Sequence, residues 1–381
     1  MMKIPYARHV IDRADIANVV KVLKSDFITQ GPVVERFEKR LLSYCGAKYA
    51  VVFSSGTAAL HAAYSAAGLS WGDNFITTPN TFAATANAGL LLGAKPVFVD
   101  IESNTGNIDV SKVGAKINKK TKLVVPVHYA GNVVDLKDLQ ELAIKHNFMV
   151  IEDACHALGS KYEKSMIGNC RYSDMAVFSF HPAKTITTGE GGAVLTNNPL
   201  FYRKLFLFRN HGINKSSFMG NPHGDWYYEM QSLGCNYRLT DMQSALGFSQ
   251  LRKLNKFISY RRKIAQIYNR AFFNNPFFDV PTQVNQSSCH LYVIRLKNPY
   301  VDKKKEIFAT LRKNGLGVQV HYIPVYMHPY YRSLGYKEGL CPVAEDFYRR
   351  AITIPLSASL KNKEIKYIIE TVKLTVQKCC K

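Results

Sequence analysis

The 381-residue chain is long enough for one large domain and a smaller one. At 47% hydrophobic and 20% charged, with no low-complexity tract, it is neither disordered nor fibrous. Its net charge of +22 raises the question of nucleic acid, but the lysines are dispersed, the longest basic run is Lys303-Lys304-Lys305, and no zinc-finger, RNP or basic-zipper pattern accompanies them.

In chain order, Asp12–Lys24 carries Ile16, Val19, Val20 and Leu23 at helical spacing. Val34, Phe37 and Leu41 begin a second helix that stops near Gly46. Tyr49–Phe53 reads as a buried strand. It enters Ser54-Ser55-Gly56-Thr57 and a helix with Leu60, Ala63, Tyr64 and Ala67 on one face. Strands follow at Pro96–Asp100 and Leu123–Val127. Asp135 caps a helix bearing Leu136, Leu139 and Leu142, before strands at Phe148–Ile151 and Ala176–Phe180. Strands alternating with helices indicate an α/β domain with a mainly parallel sheet. A long helical pattern from Thr240 to Phe273 then leads the chain out of that domain. Beyond it, strands at His290–Leu296, Gly317–Tyr322 and Ile352–Leu356, a helix at Lys304–Lys313 and a terminal helix predict a smaller α+β domain. The expected division is residues 1–250, with an N-terminal helical segment, and residues 251–381.

The apolar stretches, such as Ala88–Leu92, are too short to span a bilayer. Met1–Val10 lacks an apolar core followed by a small-residue cleavage site. The expectation is a cytoplasmic protein with no membrane partner. Eight scattered cysteines form no CxxC pair or zinc spacing, which predicts reduced thiols and no metal.

Ligands of parallel α/β sheets bind beyond the strands' carboxyl ends. Three groups fall there. Lys184 follows Ser179-Phe180-His181-Pro182-Ala183, and desolvation near a core favours the neutral, nucleophilic amine. Alone, it reads as a solvated loop lysine, since lysine is almost never fully buried unless paired. Asp153 ends an apolar strand and can hold the proton of a pyridine nitrogen; alone, it reads as a cap. Ser54–Thr57 leads into a helix N-terminus whose N–H groups can cradle a phosphate, with Thr57 adding a hydroxyl. Lysine, carboxylate and anion cradle together are the three contacts that pyridoxal phosphate needs.

The chain resembles the DegT/DnrJ/EryC1 aminotransferases of fold type I, which act on nucleotide-linked keto-sugars. The resemblance rests on Ser55–Leu60, Thr81–Ala88, Glu152–Gly159, Ser179–Gly192, Arg209–Gly212 and Gly234–Arg238. It implies that Lys184 is the Schiff-base lysine and Asp153 the pyridinium partner. It further implies that Phe82 stacks on the ring, that Ser179, Gly56 and Thr57 bind phosphate, and that His156 lies near the phenolic oxygen. Asn236 would reach the phosphate of a neighbouring subunit, which makes a homodimer the minimal active unit.

Within the family, Ser179–Gly192, Gln319–Pro324 and Ala344–Tyr348 most resemble members of the pseudaminic-acid pathway. Those members use L-glutamate to aminate C4 of UDP-4-keto-6-deoxy-N-acetyl-β-L-altrosamine. By that resemblance Tyr6, Asp26, Phe27, Ile28, Thr29, Gln319, Val320, His321 and Tyr322 line the sugar-nucleotide site. Perosamine and 4-amino-arabinose transaminases share much of the pattern and are the alternative within the class. Sugar dehydratases of this fold carry His where Lys184 stands. A non-enzymatic regulator that binds nucleic acid is the alternative outside the class.

Overall fold

The computed structural model describes residues 2–281 and 286–380. Seven short runs become strands because both sheet faces are covered. They are β1 (Tyr49–Phe53), β2 (Asn74–Thr77), β3 (Lys95–Phe98), β4 (Thr121–Val125), β5 (Met149–Asp153), β6 (Met175–Ser179) and β7 (Gly192–Thr196). In β1, β5, β6 and β7 all or all but one of the residues are buried. The sheet order is β1-β7-β6-β5-β4-β2-β3. Strands β6, β5, β4, β2 and β3 are parallel, and β7 runs antiparallel between β1 and β6. Neither β2 nor β7 was anticipated.

Helices α1 (Arg13–Leu23) and α2 (Pro32–Cys45) precede the sheet. The left-handed Gly46 (φ 84) ends α2 as expected. Helices α3 (Gly56–Ala66), α4 (Ala84–Leu90), α5 (Leu136–His146) and α6 (Pro199–Arg209) cover or link the strands. Helix α1 forms where its spacing requires, with Asp12 as cap. Its apolar stripe nevertheless faces outward: Ile16 and Leu23 are each 56% exposed, and the residues it buries are Asp15 and Val22. The stripe is therefore not a contact with this chain's own core.

The expected Thr240–Phe273 helix is two, α7 (Asp241–Leu251) and α8 (Leu254–Ala271). The interruption has a physical cause. The backbone tightens where Lys253 N–H reaches Gln250 O (2.9 Å), and here the side chains turn to the N-terminus. Gln250 Nε2 donates to Asp15 and to Val10 O (2.8 Å each), and Lys253 pairs with Asp12 (2.9 Å) and Asp15. Helix α8 starts in the large core with Leu254, Phe257 and Ile258, and ends in a second core with Ile264, Ala265 and Tyr268.

That second core holds β8 (Phe278–Asp279), β9 (Tyr292–Leu296) and β10 (Ala351–Ile354), an antiparallel sheet in that order. With them lie α9 (Lys304–Lys313), α10 (Pro329–Ser333), α11 (Pro342–Arg350) and α12 (Asn362–Cys380). Ile4 belongs to the same core. The expected Gly317–Tyr322 strand does not form. Gly317 N–H bonds Ile4 O (2.7 Å), Val318 N–H curls back to Leu316 O (2.9 Å), and Gln319 pairs singly with Thr353. Its hydrogen bonds are divided between two partners, so no ladder extends.

Cys45, Cys155, Cys170, Cys235, Cys341, Cys379 and Cys380 are free thiols. Among the described residues, no helix is long and apolar enough to cross a membrane, and no cluster of His, Cys, Asp or Glu is placed to hold a metal ion.

Candidate active site

The carboxyl ends of β1, β5 and β6 open on a cavity of about 550 Å³, which the Tyr6 and His321–Tyr322 segments close from the other side. Register explains the convergence. Asp153 pairs with Val177 on the neighbouring parallel strand, and Gly192 stands opposite both Phe53 and Ser179. Gly192 has no room for a side chain, because a Cβ there would lie 2.4 Å from Ser55 O. At Gly56 a Cβ would meet Ser179 Cβ at 2.9 Å. The two glycines thus bring the start of α3 against the end of β6.

At that junction Ser55 caps α3 by accepting from Ala58 N–H (3.1 Å). The first N–H groups of α3, on Gly56 and Thr57, have no carbonyl within their own helix. They line the cavity beside Ser179 and suit an anion such as a phosphate.

Lys184 follows a turn in which its N–H donates to His181 O (2.8 Å). The side chain is half-buried, and no hydrogen bond or ion pair holds its amine among the described residues. Burial pushes its pKa below the usual lysine range, while the nearby Cys155 and Asp153 act in the opposite sense. The result is an amine closer to its nucleophilic form. Asp153 is buried; its Oδ2 accepts from Thr85 Oγ1 (2.6 Å) and its Oδ1 from Cys155 N–H (3.2 Å).

His156 is oriented on both ring nitrogens. Ala130, whose left-handed backbone (φ 57) turns its N–H inward, donates to Nδ1 (3.3 Å). Burial, reinforced by the Lys184 charge, holds this imidazole well below the usual histidine pKa. The neutral ring with Nδ1 accepting must carry its proton on Nε2, which faces Tyr322 Oη at 3.1 Å. Burial and Lys184 likewise push His321 down to about 4. Its Nδ1 contacts Thr353 Oγ1 at 2.9 Å. Phe82 is 62% exposed and lines the cavity, so its aromatic ring is open to it.

The structure brings ten of the expected site residues to this cavity: Tyr6, Gly56, Thr57, Phe82, Asp153, His156, Ser179, Lys184, His321 and Tyr322. Asn236 is exposed, joined to Asn210 by an isolated antiparallel bridge, and it does not line the cavity. Asp26, Phe27, Ile28 and Thr29 lie exposed beyond α1, also off the cavity. Gln319 and Val320 are half-buried behind it, with Gln319 engaged by Thr353. Thr81, Thr85, Cys155, Glu190 and His290 line the cavity without having been singled out. All but His290 fall inside the motifs that carried the resemblance, and His290 starts a run read only as a strand.

A primary amine, a carboxylate, an anion cradle and an open aromatic face around one cavity can bind a phosphorylated heteroaromatic aldehyde and move a proton beside it. Comparison with known proteins agrees. A model of the DegT/DnrJ/EryC1/StrS aminotransferase family matches residues 9–373. The UDP-4-amino-4,6-dideoxy-N-acetyl-beta-L-altrosamine transaminase of Campylobacter jejuni subsp. jejuni serotype O:2 is 40% identical over 372 residues, 96% of each chain. The solved structure of Helicobacter pylori PseC, an aminotransferase involved in the biosynthesis of pseudoaminic acid, superposes with a TM-score of 0.94 at 38% identity. That match covers 99% of this chain and all of the other. Streptococcus pneumoniae Spr1654 in its PLP form gives a TM-score of 0.92 at 30% identity, covering 99% of this chain and 100% of its own.

Proposed function

Since the chain belongs to the DegT/DnrJ/EryC1/StrS aminotransferase family and is a PLP-dependent sugar aminotransferase, we propose that it moves the amino group of L-glutamate to C4 of UDP-4-keto-6-deoxy-N-acetyl-β-L-altrosamine, in pseudaminic-acid biosynthesis. The supporting observation is the convergence of Lys184, Asp153 and the α3 N-terminus on one cavity, in a chain that aligns end to end with relatives named for that reaction.

The residues present fit pyridoxal phosphate. The close approach of Gly56 to Ser179 leaves free N–H donors and a hydroxyl for the phosphate. Asp153 has lone pairs left after its two donors, enough to take the proton of a ring nitrogen. Phe82 offers its open face to the ring, and His156 with Tyr322 offers polar contacts at its edge. Bound there, the cofactor supplies an aldehyde that carries the amino group and a ring that takes up the electron pair of the carbon losing its proton.

Lys184 would anchor the cofactor through its amine. With its pKa lowered by burial, the same amine would serve as the base that takes a proton from the donor's α-carbon and returns it to the cofactor carbon on the other side of the bridging nitrogen. Asp153 keeps the ring nitrogen protonated throughout. Tyr6, His321 and Tyr322, grouped opposite Lys184, receive the sugar nucleotide. Asn236 and the Asp26–Thr29 stretch serve the site of a second copy, and the outward apolar face of α1 packs in that homodimer.

Borohydride reduction of the purified holoenzyme followed by peptide mass spectrometry locates the anchor. The pyridoxyl label is expected on the peptide containing Lys184 and absent from Lys184→Ala. A label on another lysine would refute the assignment.

A further inference from the structure

The hold on Asp153 extends through two hydroxyls that the reaction itself does not use. Thr85 Oγ1 lies 2.6 Å from Asp153 Oδ2 and 2.8 Å from Thr81 Oγ1. Thr81, Thr85 and Asp153 are 3%, 1% and 4% exposed, so water does not compete for these contacts. Each hydroxyl has one proton. A carboxylate only accepts, so the Thr85 proton is committed to Asp153, and Thr81 must be the donor in the Thr81–Thr85 contact. All donors therefore run toward the carboxylate. Thr85 is itself fixed from behind, where its carbonyl accepts from the buried Tyr64 hydroxyl (3.0 Å). On the other oxygen, Cys155 N–H completes the grip.

We propose that Thr81 and Thr85 form a directional hydroxyl relay that positions Asp153, with Thr85 as a positioning residue that keeps the carboxylate aimed at the cofactor's ring nitrogen and restrains it from taking that nitrogen's proton. The inference rests on the reading of Asp153 as the ring-nitrogen partner. Donors to a carboxylate stabilise its charged form, and their removal makes it a stronger competitor for a shared proton. Among the described residues, Lys184, Cys155, Tyr64 and Tyr322 are ionisable groups that interact with Asp153, and the test alters none of them.

The test is a spectrophotometric pH titration of the bound cofactor, with its dissociation constant, in wild type, Thr85→Val, Thr85→Ser, Thr81→Val and Asp153→Asn. The single-turnover reaction with saturating L-glutamate is followed in parallel. Thr85→Val is expected to shift the titration by about one pKa unit and slow the half-reaction about tenfold, the two being equivalent in free energy. Thr85→Ser, which restores the donor, should behave like wild type. Thr81→Val, the outer member, should shift the titration in the same direction by less, and it carries the test if Thr85→Val fails to fold. If both Val variants titrate like wild type while Asp153→Asn does not, the relay is overturned. The same holds if Thr85→Ser is as perturbed as Thr85→Val, which would make the methyl packing responsible. A wild-type titration in Asp153→Asn would instead overturn the reading of Asp153.

Discussion

The imidazoles of His156, His290 and His321 line the cavity, and all three are held below the usual histidine range by burial, with Lys184 contributing at each. His321 illustrates the sign of the consequence. An unfolded chain protonates this side chain near pH 6.5, the folded one only at about 4. Between those values the unfolded state binds more protons. The stability associated with the neutral ring is complete above about pH 6.5 and is lost as the pH falls toward 4. The melting temperature should therefore drop across that window, and His321→Asn, which keeps a hydrogen-bonding side chain near Thr353, should drop less. Parallel melting curves for the two proteins from pH 7 to 4 would contradict the burial account. Lys184, Asp153 and the Ser55–Thr57 turn were legible because each combines a distinctive side chain with a strand's carboxyl end. Thr85 and His290 were not: a threonine and a histidine inside an apolar pattern carry no local sign of what they face, and tertiary packing alone brings them to the cavity.

Helix α1 shows where periodicity is read correctly and its partner is not. The stripe of Ile16, Val19, Val20 and Leu23 predicts the helix, but two of its members stand more than half exposed, and Phe27 and Ile28 continue the apolar surface. A uniform apolar stripe this exposed requires another surface to cover it, and the proposed occupant is a second copy of the chain. Sedimentation analysis should give a dimer for wild type and a shift toward monomer, with loss of activity, for the double variant Ile16→Glu/Leu23→Glu. A wild-type monomer of full activity would refute the arrangement. Other elements divide on similar lines. Strands β1 and β6 are almost wholly apolar runs, and β5 opens on one, so all three announce themselves. Strand β2 spans four residues and opens on Asn74, and β7 starts at the second glycine of a Gly191-Gly192 pair that reads as part of a turn. Gly317–Tyr322 has a strand's composition, but Gly315 and Gly317 let Met2–Tyr6 approach so closely that the N-terminus takes the Gly317 hydrogen bond and leaves only Gln319 to pair with Thr353. That exchange is useful, since it delivers Tyr6 to the cavity.

At the scale of the molecule, α8 runs from one core into the other, and the site is built where the two meet: Lys184 and Asp153 come from the large sheet, His290, His321 and Tyr322 from the C-terminal part. The architecture expected from alternating strands and helices, a mainly parallel sheet followed by a smaller α+β unit, is the one observed. The net charge of +22 has no sequence-local arm. Distributed over the surface, it favours encounter with an anionic diphosphate sugar and makes the rate of that encounter fall with ionic strength. The central claim is amine transfer onto one nucleotide sugar. It is tested most directly by mass spectrometry of the products formed from a panel of UDP- and dTDP-linked 4-keto-6-deoxy sugars with isotopically labelled L-glutamate. Label is expected at C4 of the UDP-linked N-acetyl-β-L-altrosamine derivative, formed in preference to any other product. Amination confined to the dTDP sugars, or no labelled amino sugar at all, would contradict it.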